Sequence, residues 1–339
     1  MAYDEEILRR AKARFDAQRQ ERRRTLETRR ENAYRRQPRI KAIDTELRKT
    51  SARILSAALR YGDPRQAVEE LRVKNLNLQS ERKSLLAKCG LPADYLDDKP
   101  ACVICRDTGY ADDGKMCWCL RKLCAQEQKK DLSNMLDLEK QSFDSFSLDW
   151  YSDRTDRKQR LSPRKNMEAV YESCLEYARK FGPDSGNLFF FGPSGLGKTF
   201  LSAAIAREVS AAGFSVFYDT ASHIFEQFEA ERFDRDESAA HDVKRVLRCD
   251  LLIMDDLETD TPTPFVRSAL YQIVNTRLIE RRSTILSTNL ELTNLEKRYS
   301  PQIASRIQGE YEIFAFFGED IRNLRKEYHG KPPYGPSHD

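Results

Sequence analysis

No stretch of this 339-residue chain stays apolar for long. The longest runs, in "NLFFFG" and "DLLIM", fall far short of the roughly 18–20 residues that span a bilayer, so no membrane role is expected. The opening "MAYDEEILRR" begins with acids and offers no apolar core of a secretory signal. The chain is therefore read as cytoplasmic, a compartment where disulfides rarely persist. There is no internal repeat and no long low-complexity tract. Histidine is scarce, and His223, His241, His329 and His338 all lie far from the clustered cysteines. Those thiols are better read as metal ligands than as bridges.

Charge is what the sequence has in quantity. Overall 58 Lys and Arg face 54 Asp and Glu, a net of +4. Residues 1–98 hold 24 basic against 16 acidic side chains, and the remainder 34 against 38. A basic head thus precedes a mildly acidic body. Such a head is either a solvated helical face or a contact for nucleic acid or an acidic partner.

Residues 1–98 read as a basic helical, coiled-coil-like region. Ile40, Ile43, Leu47, Ile54 and Ala58 recur at three- and four-residue steps, as do Val68, Leu71, Leu78 and Leu85. "YGDP" between them supplies Gly62 for a left-handed helix end, Asp63 for a cap and Pro64 for a first turn. This predicts a hairpin of 38–61 against 64–89, preceded by an Arg-rich helix with few apolar anchors. A cysteine module is expected at 99–125, a linker at 126–162, an α/β domain at 163–327 and a disordered tail at 328–339. Strands alternating with helices from Pro163 onward imply a parallel sheet.

"FFFGPSGLGKTF" carries the first chemical signature. Gly192-Pro193-Ser194-Gly195-Leu196-Gly197-Lys198-Thr199, with Phe200 beyond, follows an apolar strand and opens a helix. Glycines let backbone N–H groups wrap phosphate oxygens, and the helix dipole adds positive charge. Lys198 can reach the outer phosphates of ATP, and the Thr199 hydroxyl can ligate Mg2+. In "CDLLIMDDLE" a buried strand ends in Asp255 and Asp256. One carboxylate suits Mg2+, assigned to Asp255; the other, Asp256, suits the attacking water. "STILSTNLE" then ends a strand at Asn289, a side chain able to orient water near the γ-phosphate.

Glycine loop, double acid, strand-end Asn and the later "QIASRIQGEYEIFAFFGEDIR" together resemble an AAA+ ATPase of the bacterial helicase-loader group, the DnaC/DnaI type, with the transposition ATPase IstB as a relative. The resemblance covers about residues 90–327. It implies a five-stranded parallel sheet between helices, with a helical hairpin and a small zinc module ahead of it. It also implies an arginine finger at Arg306 acting on a neighbouring subunit, and a nucleotide contact from Arg322 within its own subunit. The chain ends soon after Arg322, leaving little room for a helical lid domain, as in the loader group. "FSVFYDTASHIFEQFEAERFDRDESAAHDVKRVLRC" resembles the extra helical element that binds single-stranded DNA in relatives. Here Phe225, Phe228 and Phe233 are expected in the core, and Lys244, Arg245 and Arg248 are candidate backbone contacts.

Cys102-x2-Cys105 and Cys117-x-Cys119 can supply four thiolates to a tetrahedral Zn2+ across a glycine-containing loop. Cys124 could replace Cys117 or Cys119. The stretch from Asp94 to Lys122 resembles the zinc module of DnaI-like loaders. A segment this short cannot bury a core, so the metal would supply its folding energy. Trp118, Tyr110 and Tyr95 either cover the metal or face a partner. "FDSFSLDW" (143–150) resembles an aromatic lead-in that packs near adenine.

The expected function is an ATP-dependent loader of the replicative DNA helicase hexamer. It would grip helicase through the head, bind single-stranded DNA and ATP through the core, and self-associate with ATP. An IstB-like transposition helper and a non-hydrolysing adaptor are the alternatives.

Overall fold

The computed structural model describes residues 3–60, 65–234, 236–257 and 262–334. It divides into two compact units, one of residues 13–117 and one of residues 1–12 with 118–339. The proposed turn at Gly62, Asp63 and Pro64, and the side chains of Ile54, Ala58 and Val68, lie outside the described residues.

Residues 13–117 are built from helices and a cysteine loop. α1 (Glu5–Arg36) runs on into α2 (Pro38–Arg60), and α3 (Arg65–Lys88) returns along α2. Among the described residues, Ala33, Ile40, Leu86 and Leu96 form a buried apolar cluster with Tyr34, Leu85, Leu91 and Tyr95 around them, and Leu26, Ile43 and Leu78 are buried as well. Polar contacts extend the seam. Thr50 donates to Asn75 at 3.0 Å, Arg82 pairs with Asp44 at 2.9 Å, and Arg39 forks onto Glu81 at 2.9 and 3.1 Å.

The larger unit is a parallel sheet between two helical layers. β1 (Asn187–Phe191), β2 (Val216–Thr220), β3 (Leu251–Asp255), β4 (Ser283–Thr288) and β5 (Tyr311–Ala315) stand in the order β2-β3-β4-β1-β5. Strand alternation splits the core cleanly. Leu188, Phe190, Leu251, Ile253 and Ile285 face one layer, where α5 (Pro163–Arg179) and α6 (Lys198–Ala211) pack. Phe189, Leu252, Met254 and Leu286 face the other. That layer holds α7 (Ala221–Glu229), α8 (Glu237–Arg248), α9 (Pro264–Ile279) and α11 (Pro301–Glu310). α10 (Leu292–Arg298) precedes α11, and α12 (Ile321–Glu327) follows β5.

Three expectations change. The stretch 126–162 is not a linker. α4 (Trp118–Met135) buries Leu120, Leu123, Cys124 and Leu132, and Gln128 is 2% exposed. Its amide accepts from Val216 N–H at 2.9 Å and donates to Ser210 Oγ at 2.8 Å and Phe214 O at 2.9 Å. Val216 opens the edge strand, so Gln128 satisfies a donor the sheet leaves open. Within the expected tail, Tyr334 is held: its N–H donates to Asp149 O at 3.2 Å and its carbonyl accepts from Arg164; residues 335–339 lie outside the described part. Finally, the start of α1 is anchored within the larger unit. Tyr3, Ile7 and Ala11 are buried, and Asp4 takes Arg245 Nε at 2.7 Å and His241 Nε2 at 2.9 Å.

Candidate functional site

β1 ends at Phe191, centrally between β4 and β5, and the glycine loop springs from its carboxyl end. Conformation requires both glycines there, and contact with backbone also requires Gly192. A Cβ on Gly192 (φ 133°) would lie 2.0 Å from Phe316 O, and one on Gly195 (φ 77°) 1.9 Å from the Asp320 carboxylate. Gly197, at φ 95°, is the N-cap of α6. The loop is held from outside by Tyr151, whose hydroxyl donates to Leu196 O at 2.9 Å, and by Ile321 N–H on Gly195 O at 3.1 Å. The second bond ties the loop to the first turn of α12.

Lys198 and Thr199 open α6 and meet the ends of neighbouring strands. Lys198 Nζ donates to Gly192 O at 2.6 Å, Pro193 O at 2.9 Å and Asn289 Oδ1 at 2.6 Å. Thr199 Oγ1 donates to Asp255 Oδ2 at 2.8 Å. Asp255 is 2% exposed and also accepts from Tyr218 OH at 2.9 Å and from Ser287 Oγ. Burial, and then the Asp255 charge, push the Tyr218 phenol well above its ordinary pKa, so it remains a donor. Asp256 takes the left-handed conformation at φ 50°, with its N–H on Ser287 Oγ at 3.1 Å. That turn puts the exposed Asp256 on the wall of a cavity of about 230 Å³ shared with Ser194, Gly195, Gly197, Lys198, Thr199, Phe200 and Asn289.

Arg322 lines the same cavity, with Ile321 and Arg325 of α12. Arg306 does not. Its guanidinium donates to Asn275 Oδ1 at 3.0 Å and Tyr271 OH at 3.0 Å and lies 4.8 Å over the Tyr271 ring. Pro193 and Leu196 belong to the loop but not to the cavity wall: Leu196 is buried and Pro193 contributes its carbonyl to Lys198. The aromatic lead-in forms the far wall. Phe146 stacks on Tyr151 and Tyr171 at 5.9 and 5.3 Å and meets Phe200 edge-on at 5.4 Å. Trp150 sits under Arg325 at 5.3 Å.

Of the further lining residues, Trp150 belongs to the aromatic lead-in 143–150, whereas no pattern in the sequence marks Gln141, Tyr151 or Arg325.

The Sγ atoms of Cys102, Cys105, Cys117 and Cys119 all lie within 4.8 Å of one another. Cys102 and Cys117 are 3.7 Å apart, close to the roughly 3.8 Å edge of a tetrahedron with Zn–S bonds near 2.3 Å. The donor set therefore fits zinc. Left-handed Gly109 and Gly114 make the turns, and Cys117 N–H closes onto Gly109 O at 2.9 Å. Cys124 is outside the cluster: it is fully buried on α4, and burial raises its thiol to about 11, the opposite of a ready thiolate. Trp118, Val103 and Ile104 are exposed beside the ligands rather than folded over them.

In the element after β2, Phe225 and Phe228 are buried as expected, but Phe233 is 63% exposed against Phe265 and Arg232. Of the candidate DNA contacts, Arg245 is engaged by Asp4 and lies over Phe217, Lys244 faces Glu5 at 3.7 Å, and Arg248 is exposed.

The strand order, the glycine loop and a buried carboxylate against the loop threonine define a P-loop ATP-binding domain of the AAA+ type. More narrowly, residues 174–306 match the family model of the IstB-like ATP binding protein. The chain is 25% identical over 172 residues to the replicative helicase loader DnaC of Escherichia coli strain K12, spanning 50% of this chain and 70% of that one. It is 26% identical over 197 residues to DnaC of Buchnera aphidicola subsp. Baizongia pistaciae, covering 51% and 78%. A crystal structure of the DnaC helicase loader aligns over 53% of this chain and 99% of its own, at 18% identity and a TM-score of 0.44. Among the described residues no helix is long and apolar enough to cross a membrane.

Proposed function

We propose that this protein is an ATP-dependent loader of a replicative DNA helicase. The observation that carries the proposal is the convergence of Lys198, Thr199, Asp256, Asn289 and Arg322 on one cavity, with Asp255 against Thr199. Similarity to DnaC over half the chain supplies the class of partner. Thr199 and Asp255 would hold Mg2+, which neutralises charge between the outer phosphates when bound. Lys198 binds the phosphates, Asp256 and Asn289 orient the attacking water, and Arg322 binds the nucleotide of its own protomer. Arg306, held by Asn275 and Tyr271 away from this cavity, acts on the ATP of a neighbouring protomer. ATP then joins subunits, and hydrolysis separates them from helicase and single-stranded DNA. The zinc loop, with Val103, Ile104 and Trp118 exposed, contributes to the partner surface.

The test is co-purification with the host's replicative helicase, with and without ATP. Capture that requires ATP and fails in K198A is expected; capture of no helicase under either condition sinks the proposal. The IstB-like family match favours a second reading, a transposition helper, which capture of a transposase in place of helicase would establish.

A further inference from the structure

The basic head carries a second cluster that the nucleotide site does not use. Within residues 13–117 a groove of about 280 Å³ is lined by Arg19, Arg22 and Arg23 of α1, by Asp98, Lys99 and Pro100, and by Arg106 and Asp107 of the cysteine loop. Five cations thus face two carboxylates. One carboxylate is already committed: Asp107 accepts N–H from Ala101 at 3.1 Å and Cys102 at 3.0 Å, and pairs with Arg22 at 3.1 Å. Arg19, Arg23 and Arg106 are exposed, and among the described residues no hydrogen bond or ion pair holds them. Arg106 and Asp107 both take left-handed backbone, at φ 48° and 62°, in the turn after Cys105. The cysteine loop therefore sets Arg106 opposite the arginines of α1.

We infer that this groove is a binding surface for the phosphate backbone of nucleic acid, separate from the ATPase core. Three features select that partner. Its cations are mostly guanidinium, which matches phosphate oxygens in bidentate fashion. Arg19, Arg22 and Arg23 recur at three- and four-residue spacing, so they lie on one face of α1 as a short row. The lining is charged apart from Pro100. A protein partner would call for an apolar centre depleted of charge, which this groove lacks. It also lacks any aromatic ring on which a base could stack. Binding is accordingly independent of sequence and extends to duplex as well as single strands.

The experiment uses the full chain and a fluorescent 20-base-pair duplex, titrated over a series of salt concentrations. The variant R19Q/R23Q/R106Q removes the three exposed arginines, and K41Q/R48Q/K49Q removes equal charge from exposed positions of α2 as a control. The groove variant should bind the duplex about tenfold more weakly at 0.1 M salt, with the slope of log affinity against log salt reduced by about 2. The control should stay near the wild type, and ATP affinity should be unchanged in both. Equal losses in groove and control variants would mean diffuse charge and overturn the inference. So would a wild type that binds no duplex, or a groove variant that keeps DNA but loses a protein partner.

Discussion

The two units of this chain solve the problem of staying folded in different ways. Residues 118–339 enclose a sheet whose strands are buried on both faces, so β3 has no exposed residue from Leu251 to Asp255. Among the described residues, 13–117 bury fewer apolar side chains and add ion pairs and three of the four clustered thiols. The first unit can position charged groups to within hydrogen-bonding distance because its walls are close-packed. The second presents cations and exposed apolar side chains, the makings of a contact surface. On the proposed function, chemistry falls to the first unit and recognition to the second.

The largest expected effect lies in hydrolysis. Arg306→Ala should lower turnover by about 10³-fold, and Asp256→Asn by about 10²–10³-fold, with ATP affinity retained in both. Steady-state phosphate release checks this. If Arg306 serves a neighbour, mixing the two variants should recover activity; equal inactivity of the mixture would put the arginine in its own site.

The thiol cluster and the nucleotide cavity share no residue, which predicts that zinc and ATP are separable. Cys105→Ser should lower metal content from about one zinc per chain and loosen residues 99–117, leaving ATP affinity within about twofold. Elemental analysis beside nucleotide titration reads both, and a joint loss would break the comparison.

Stability should follow the same line. Leu252→Ala, in the fully buried core, should cost about 2–5 kcal/mol in denaturant unfolding, whereas Ile104→Ala, 63% exposed, should stay within about 0.5 kcal/mol. The smallest effect is electrostatic. The Asp219 carboxylate, bonded to His223 Nδ1 at 2.5 Å, raises the His223 pKa above its ordinary value. Its contribution is present below pH about 6.5 and is lost as pH rises through the raised value. His223 is half exposed, so solvent screening limits this to a few tenths of a kcal/mol. An imidazole titration by NMR at or below the ordinary value would contradict the pairing.

What could be read from sequence was what local pattern encodes. The glycine loop, the apolar strands and the carboxylates at their ends follow from short-range spacing, and the strands deliver them to one edge. α4 differs from the expected linker because its central anchor is polar: Gln128 is satisfied by Ser210, Phe214 and Val216, some 82 to 88 residues away. Phe233 differs from expectation for the complementary reason, an apolar side chain left outside at a π-helical turn, Ala230–Asp234. Arg325 joins the cavity because Ile321 N–H binds Gly195 O and brings α12 against the loop, a contact no periodicity announces.

The account stands on a single nucleotide pocket assembled from separate strands. Its most direct test is calorimetric titration of the wild type and Lys198→Ala with ATP, in the presence and absence of Mg2+. One site per chain, strengthened by Mg2+ in the wild type and weakened by at least tenfold in the variant, is the expected result. Undiminished, Mg2+-enhanced binding by Lys198→Ala would show that the triphosphate lies elsewhere.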